Sequence, residues 1–317
     1  LGGNTLGAAT GKAMVEALKI NTSLITITLD GASLSLRQLS GAEPVTEIDL
    51  SNDESHGTRD KRLGEASGMM IAHLVSGNSS LTSLDLSLNS FGDTSGTALA
   101  EAVVSSSSLT SLDLRGNKLG PATCKALAHA LSTNRKLQSL DLASNQLVGK
   151  SSETNYVKPA EVSGASKKVG ARVTHKGQEM VVTEVHADGS INMRPVSDPS
   201  GVQALAGALR GHTSLRQLVL NGNGLNDASG TALAKAVASN GCLTSLDLGG
   251  NTLGAATGKA MVEALKINTS LITITLDGAS LSLRQLSGAE PVATVDISTK
   301  KLGEASGVVI AHLVSGN

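Results

Sequence analysis

The chain has 317 residues and a formal net charge of −1, and it contains one Tyr, one Phe and no Trp. A balanced charge argues against a general nucleic-acid-binding surface, which needs a clustered basic face. No apolar run reaches about 18 residues, and the first residues lack the basic start and apolar stretch of a signal peptide, so we expect neither a membrane span nor a leader. Two cysteines, Cys124 and Cys242, cannot form a disulfide framework, which favours a reducing, cytoplasmic location.

One strand pattern, L-x-x-L-x-L-x-x-N-x-apolar, recurs along the chain. It begins at Leu81, Leu109, Leu137, Leu215 and Leu243, and in looser form at Leu24, Val45, Leu271 and Val292. Consecutive starts from Leu81 to Leu137 and from Leu215 to Leu271 are 28 residues apart. A fixed period of this length indicates a repeat architecture.

A helical pattern follows most strands, as in Lys125–Leu131, where apolar residues fall at helical spacing and small Ala residues permit close packing. A short strand cannot bury its leucines alone, so neighbouring repeats must stack them into one core. Each buried leucine contributes about 1.5–3 kcal/mol. We therefore predict a parallel sheet on the inside of a curve and helices on the outside.

An asparagine occupies the turn after each regular strand, at Asn89, Asn117, Asn145, Asn223 and Asn251. Its amide can both donate to and accept from the backbone, which predicts a structural ladder. At the looser repeats the position is Ala32, Asp53, Ala279 or Lys300, and we expect less regular turns there.

The 28-residue unit, its LDL-x-x-N-x-L strand and its Ala/Leu-rich helix resemble the ribonuclease-inhibitor-like subfamily of leucine-rich repeats. The resemblance covers nearly the whole chain outside one insertion. It implies an α/β fold, a right-handed leucine-rich-repeat solenoid (horseshoe) with a parallel inner sheet and outer helices, used for protein recognition or scaffolding. The cysteine-rich elements of the vertebrate ribonuclease inhibitors are missing, so that particular activity is not expected.

A larger duplication spans more than one of the short repeats. Residues 1–45 recur without change as residues 248–292, and the near-copy continues to residue 317. The first repeat lacks its strand, and neither end carries the polar capping repeat that solenoids need, so we expect the chain to belong to a longer protein or array.

These features divide the chain into three regions. Residues 1–148 are leucine-rich repeats with a truncated first repeat, 149–198 form an inserted linker plus a small β module, and 199–317 are leucine-rich repeats again. In the insertion, the stretch 150–168 is polar and linker-like.

The second half of the insertion changes to a strand-like pattern. Val169–Thr174, Glu179–Val185 and Ile191–Val196 predict a three- or four-stranded antiparallel module that resembles SH3-like or Tudor-like barrels. Tyr156 is the one candidate ring, so methyl-lysine reading is not expected. Candidate contact residues of the insertion are its cations, Lys167, Lys168, Arg172 and Lys176.

No motif predicts catalysis, a cofactor or a metal. Gly7–Lys12 and its copy Gly254–Lys259 are similar to a phosphate-binding loop, but Leu6 and Ala13 stand where Gly and Ser or Thr are needed. No His or Cys has a partner at metal-ligand spacing, and no nucleophile elbow is present. Three Asn-x-Ser/Thr sites, Asn21, Asn78 and Asn268, lie at a recurring repeat corner, so we interpret them as repeat chemistry.

The candidate binding surface is an acidic column on the concave face. Residues between the last two strand leucines point to that face, and those positions hold Asp49, Asp85, Asp113, Asp141, Asp247 and Asp296. The column could dock a basic segment, or the aspartates could be ordinary repeat consensus held by neighbouring polar groups. We favour the second interpretation, since Thr28, Val219 and Thr275 interrupt the column. Arg115 is the one strong anchor candidate on this face.

Three functions are compatible with these patterns. The first is a non-catalytic protein-interaction scaffold or structural subunit of a larger assembly, which binds other proteins and no nucleic acid. An alternative is the regulatory or sensor region of a larger cytosolic receptor or GTPase-regulating protein. The third is an enzyme whose site lies where the insertion meets the solenoid, and we do not favour it, because no local motif supports it.

Overall fold

The computed structural model describes residues 6–21, 23–52, 62–149, 154–164, 166–290 and 302–315. The chain divides into two compact units. The solenoid consists of residues 1–147 and 199–317, and the inserted module consists of residues 148–198. Asp53 and Lys300, two of the looser turn positions, lie outside the described residues.

The described helices are α1 (Ala8–Ile20), α2 (Leu36–Ser40), α3 (Glu65–Val75), α4 (Asp93–Ser105), α5 (Pro121–Thr133), α6 (Ser200–Leu209), α7 (Asp227–Ser239), α8 (Ala255–Leu265), α9 (Leu283–Leu286) and α10 (Glu304–Ser315). The strands are β1 (Thr26–Leu29), β2 (Ala32–Ser35), β3 (Glu47–Asp49), β4 (Ser83–Asp85), β5 (Ser111–Asp113), β6 (Ser139–Asp141), β7 (Thr154–Val157), β8 (Val162–Ser163), β9 (Arg172–His175), β10 (Gln178–Val185), β11 (Ile191–Pro195), β12 (Gln217–Val219), β13 (Ser245–Asp247), β14 (Thr273–Leu276) and β15 (Ala279–Ser282). A single turn of 3-10 helix covers Pro159–Glu161.

One eight-stranded sheet of the solenoid has the strand order β15-β14-β13-β12-β6-β5-β4-β3. All its neighbouring strands are parallel except β14 and β15, which are antiparallel. Strands β6 and β12 pair in register although the module separates them in sequence. The central residue of each of five adjacent strands is a buried leucine that pairs with the central leucine of the next strand. These leucines are Leu84, Leu112, Leu140, Leu218 and Leu246. Together with the consecutive helices this confirms the predicted α/β repeat solenoid.

Two looser repeats depart from the pattern because their strands fold back into hairpins. In the first copy the chain reverses at Asp30 and Gly31, whose φ angles of 50° and 82° match a two-residue turn between antiparallel strands. Ala32 therefore lies in a strand rather than in a repeat turn. Strand β14 continues the large sheet, whereas β1 and β2 form a two-stranded sheet of their own, so Thr28 does not belong to the large sheet.

The turn asparagines form the predicted ladder. The Nδ2 amide of Asn117 donates to the carbonyls of Leu114 and Arg115 in its own repeat, at 3.0 and 3.3 Å. It also reaches the Leu86 carbonyl of the preceding repeat at 3.1 Å, while its Oδ1 accepts the N–H of Phe91 at 3.1 Å. The same bridging pattern is made by Asn89, Asn145, Asn223 and Asn251.

A second set of amides fixes four of the corners between a helix and the strand that follows it. At Asn240, Oδ1 accepts the N–H groups of Cys242 and Leu243, and Nδ2 donates to the carbonyls of Leu209 and His212 in the preceding repeat. Equivalent bonds are made by Asn78, Asn134 and Asn268. Two of the three Asn-x-Ser/Thr sites, Asn78 and Asn268, thus use Nδ2 as a donor within the fold.

His212 replaces asparagine at the corner that follows the module. Its Nδ1 accepts the N–H of Leu215 at 3.0 Å, whereas its Nε2 is buried without a hydrogen-bond partner among the described residues. The carbonyls that a corner amide would reach, those of Leu131 and Asn134, instead accept the guanidinium of Arg135. Burial, and then the positive charge of Arg135, lower the pKa of His212 below its usual value.

Replacing His212 by Asn is expected to flatten the pH dependence of stability. Because its folded-state pKa is depressed, the imidazole binds a proton in the unfolded chain at a higher pH than in the folded chain. The contribution of His212 to stability is therefore complete above about pH 6.5 and falls as the pH drops below it, by at most about 1.4 kcal/mol per pH unit. Urea midpoints between pH 8 and pH 5 would measure the slope, and equal slopes in His212→Asn and the unmodified chain would contradict this account.

Carboxylates of one repeat bind the helix N-terminus of the next repeat. Three of them lie in the first turn of a helix, whereas Asp30 and Asp277 lie in hairpin turns. Oδ1 of Asp93, in the first turn of α4, accepts the backbone N–H groups of Gly120 and Thr123 and the Thr123 hydroxyl, at 2.8, 2.9 and 2.6 Å. The equivalent carboxylates are Asp30 on α3, Glu65 on α4, Asp227 on α8 and Asp277 on α10. The hydroxyl of Thr257 holds the pKa of Asp227 below its usual value. Each clamp places a negative charge at the positive end of a helix of the next repeat.

The inserted module is an antiparallel sheet of five strands in the order β7-β11-β10-β9-β8. The prediction of three or four strands was wrong, because β7 and β8 lie in the stretch that was interpreted as a linker. Both are short edge strands, too short to show a sequence period of their own. The core of the module consists of Val157, Val162, Val173, Met180, Val182, Ile191 and Met193.

Candidate functional site

The acidic column is assembled by the strand register. On the sheet face that points away from the buried leucines, successive strands place in line Asp49, Asp85, Asp113, Asp141, Val219, Asp247 and Thr275. Four aspartates, from Asp49 to Asp141, therefore stand on adjacent strands, and Val219 separates them from Asp247. Asp296 lies outside the described residues.

Each of the five described aspartates of the column also has a local structural role. Oδ1 accepts the backbone N–H two residues further on, at 2.8–2.9 Å. The donors are Ser51, Ser87, Arg115, Ala143 and Gly249. This bond stabilises the turn that leaves the strand, and it would explain an aspartate in the repeat consensus without any partner.

The charge of the column is nonetheless costly to the fold. Burial raises the pKa of Asp113 from 3.8 to about 6, with further repulsion from Asp141 and Asp85, despite the opposing effects of the Arg115 N–H and guanidinium. Burial also raises the pKa of Asp141. A consensus hydrogen-bond acceptor could be an uncharged asparagine, so the four adjacent charges are more than the turn requires.

Arg115 lies beside the column and partly neutralises it. Its Nε is 3.4 Å from Oδ2 of Asp113, and its side chain is 49% exposed. The neighbouring row of the same face consists of Glu47, Ser83, Ser111, Ser139, Gln217, Ser245 and Thr273. Its four serines are small and leave the carboxylates beside them accessible.

The four candidate cations of the insertion lie on β9, its following turn and the preceding loop. Arg172 pairs with Glu179 of the adjacent strand at 3.0 Å. Lys168 is exposed and Lys167 is half-buried. Lys176 stands in the β9–β10 turn with a φ of 49°.

The stretch that is similar to a phosphate-binding loop is a helix N-terminus already occupied by a protein carboxylate. In the second copy the N–H groups of Gly254 and Thr257 donate to Asp227. The Gly-x-x-x-Gly-Lys pattern thus serves the carboxylate clamp there.

Two features were missed at the level of sequence. The clamp carboxylates Glu65, Asp93 and Asp227 lie 30 residues before the Ser or Thr that they contact, and this spacing is readable in the sequence. In the module, the ring of Tyr156 stacks on His186, with centroids 4.6 Å apart and an angle of 15° between the planes. The sequence pattern indicates Tyr156 as a candidate ring but does not indicate its contact with His186.

The leucine-rich-repeat family model matches residues 77–100, 105–128, 133–151, 211–234 and 239–262. These five stretches are therefore leucine-rich repeats. No curated protein sequence matches it.

Three solved structures are similar to parts of this chain at low sequence identity. The actin-binding site 2 of leiomodin-1 is 14% identical with a TM-score of 0.40, over 63% of this chain and 84% of that one. The tropomodulin C-terminal domain of Caenorhabditis elegans is 10% identical with a TM-score of 0.36, over 73% and 89%. An internalin (inlF) of Listeria monocytogenes is 16% identical with a TM-score of 0.35, over 86% and 59%.

In the part of the chain that the structure describes, none of the helices is both long and apolar enough to span a membrane. Within the same ranges, no group of three or more His, Cys, Asp or Glu side chains could hold a metal ion.

Proposed function

We propose that the chain is a non-catalytic protein-interaction scaffold, or a structural subunit of a larger assembly, of the ribonuclease-inhibitor-like repeat subfamily. Its solenoid and its inserted module act as separate domains, and the acidic column docks a basic segment of a partner protein. The observation that carries the proposal is the set of four carboxylates, Asp49, Asp85, Asp113 and Asp141, on adjacent strands. A reducing compartment is part of the proposal, and the buried free thiols of Cys124 and Cys242 are compatible with it.

Electrostatics favour a binding role for the column. Like charges held at a spacing of about 4.8 Å repel one another, and a structure keeps such a cluster at the expense of stability. A cationic partner relieves the repulsion, so binding gains from an unfavourable state of the free protein. The pKa of Asp113 is raised to about 6 mainly by burial, and the charges of Asp141 and Asp85 add to the shift, which supports this argument.

The dimensions of the column suit an extended segment. Four adjacent strands span about 14 Å between the first and the last carboxylate. An extended peptide places side chains of one face about 6.6 Å apart, so two or three Lys or Arg side chains reach the column together. The small serines beside Asp85, Asp113 and Asp141 leave room for the peptide backbone.

The cations of the module provide a second proposed contact. Lys167, Lys168, Arg172 and Lys176 would meet acidic groups of a partner. Of these, Lys168 and Lys176 are the exposed lysines.

Neutralising the column is expected to weaken binding and to stabilise the fold. The double variant Asp113→Asn/Asp141→Asn keeps the Oδ1 acceptors but removes two charges. We expect affinity for an acetylated peptide of alternating Lys and Ala to fall about tenfold at low salt, measured by calorimetry. At pH 7.5 the free energy of unfolding should rise by about 1–3 kcal/mol, because the penalty on ionised Asp113 disappears.

The sign of the pH dependence provides a further check. Since the folded-state pKa of Asp113 is raised to about 6, the ionisation of Asp113 lowers the stability of the unmodified chain as the pH rises from about 4 to about 6, and the variant lacks this contribution. Glu101→Gln/Glu161→Gln, which removes two exposed charges elsewhere, serves as the matched control. Equal peptide affinity in the column variant and this control would sink the docking role and leave the aspartates as repeat consensus.

A further inference from the structure

The sheet of the module is irregular around one residue, Asn192. In the pairing of β10 with β11, the register shifts between Val182 and Glu184, which leaves Thr183 as an extra residue. In the pairing of β11 with β7, it shifts between Ile191 and Met193, on either side of Asn192. Bulges of this kind redirect side chains and are common beside functional sites.

The irregularity gathers four polar or aromatic side chains. The amide of Asn192 donates to Oε2 of Glu184 at 2.8 Å, and its Oδ1 accepts the backbone N–H of Tyr156 at 3.0 Å. The Nε2 of His186 is 3.0 Å from the same Oδ1 and 3.8 Å from Oε2 of Glu184. The imidazole in turn stacks on the ring of Tyr156.

This arrangement is unfavourable for the folded module by itself. Tyr156 has a φ of 54°, a left-handed conformation that bulky residues rarely adopt. Thr183 has a buried hydroxyl without a hydrogen-bond partner within the described ranges. Tyr156 is nevertheless 69% exposed, so the strain does not serve to bury an apolar ring. Local strain of this kind is concentrated at functional sites.

We propose that this cluster is a binding site for an arginine side chain of a partner protein. The guanidinium stacks on the exposed face of the Tyr156 ring, whose other face rests on His186. The carboxylate of Glu184, which Asn192 holds by one oxygen and which is 59% exposed, pairs with the guanidinium. The site is distinct from the acidic column and does not depend on it.

Arginine fits this chemistry better than lysine. A planar guanidinium can stack on an aromatic face and at the same time donate in its own plane to a carboxylate, whereas an ammonium is a compact, strongly hydrated charge. Exposed Tyr and Arg are also the residue types that dominate the energetics of interfaces.

The sequence supplies its own probe for the test. Tyr156 is the only Tyr and the chain has no Trp, so intrinsic phenol fluorescence reports on this site alone. The full chain would be titrated with acetylated and amidated Gly-Arg-Gly-Arg-Gly and with the peptide that carries Lys in place of Arg. We expect a saturable fluorescence change with the Arg peptide and an affinity about three- to tenfold higher than for the Lys peptide.

Variants separate the site from general charge attraction. Glu184→Gln should reduce the Arg-peptide affinity about three- to tenfold by calorimetry, while the exposed-charge control Glu161→Gln should not change it. Tyr156→Phe keeps the ring and should retain binding, whereas Tyr156→Ala should lose it. Glu184→Gln keeps an acceptor for Asn192, so the result does not depend on whether Tyr156→Ala folds.

The proposal is overturned by equal responses to the Arg and Lys peptides, or by an unchanged affinity in Glu184→Gln. Peptide binding that leaves the Tyr156 fluorescence unaltered would also overturn it, and would place the peptide on the acidic column instead. That outcome leaves the docking role of the column standing.

Discussion

Substitution of Asn117 by alanine is expected to lower the free energy of unfolding of the solenoid by about 3–5 kcal/mol. The side chain is buried, and its amide satisfies backbone groups in two repeats at once. Its removal leaves three carbonyls and one N–H without this partner, and each such buried group costs about 1–3 kcal/mol when it cannot reach water. Guanidinium chloride unfolding followed by circular dichroism measures the loss.

The neighbouring Lys118→Ala is the control, because Lys118 is exposed on the same turn. Its effect should stay within about 0.5 kcal/mol. If Asn117→Ala also costs less than about 1 kcal/mol, water replaces the amide and the ladder is not a main source of stability.

The second large effect is expected at Asp93, where alanine should cost about 2–4 kcal/mol. Its carboxylate accepts three hydrogen bonds at the N-terminus of α5, and such charge-assisted bonds are about twice as strong as neutral ones. The negative charge also interacts favourably with the positive end of the helix dipole. The loss is measured by the same unfolding experiment.

Glu101→Ala provides a matched comparison, because Glu101 is an exposed acid in the same helix as Asp93. It should change stability by less than about 0.5 kcal/mol. Asp93→Asn should fall between the two, since an amide oxygen accepts the same bonds without the charge. Equal losses in Asp93→Ala and Glu101→Ala would show that the clamp does not couple adjacent helices.

The repeat solenoid could be predicted from the sequence because the sequence motif of each of its elements recurs several times. The strand leucines and turn asparagines recur at a fixed period, so a single packing solution explains five copies. The hairpins at Asp30 and Asp277 do not follow the repeat pattern, although Asp-Gly between apolar stretches is itself a turn signal. The repeat pattern predicts a strand followed by a repeat turn at these two sites, but the local Asp-Gly turn makes the chain form a hairpin instead.

The two proposed binding surfaces also differ in how far they can be predicted from the sequence. Strand alternation was sufficient to align Asp85 with Asp113 and Asp141, because the register of a parallel repeat sheet follows from the period. The pKa of about 6 at Asp113 could not be predicted, since it depends on burial and on the distances between carboxylates. The Tyr156 cluster depends on two register shifts at Asn192, and no local pattern encodes such a shift.

The pairing of β6 with β12 has a consequence for the order of folding. The two strands are 78 residues apart instead of 28, as the register of Leu140 with Leu218 shows, so closing this loop costs about 1 kcal/mol more entropy than closing an ordinary repeat. The module shortens that path, because the N–H of Asp198 donates to the carbonyl of Val148 at 2.8 Å and its two ends meet. A module that folds first therefore delivers β12 to β6 as if the two repeats were contiguous. We expect variants that slow the folding of the module to delay the joining of two separately nucleated halves of the solenoid, while they leave the rate of each half unchanged.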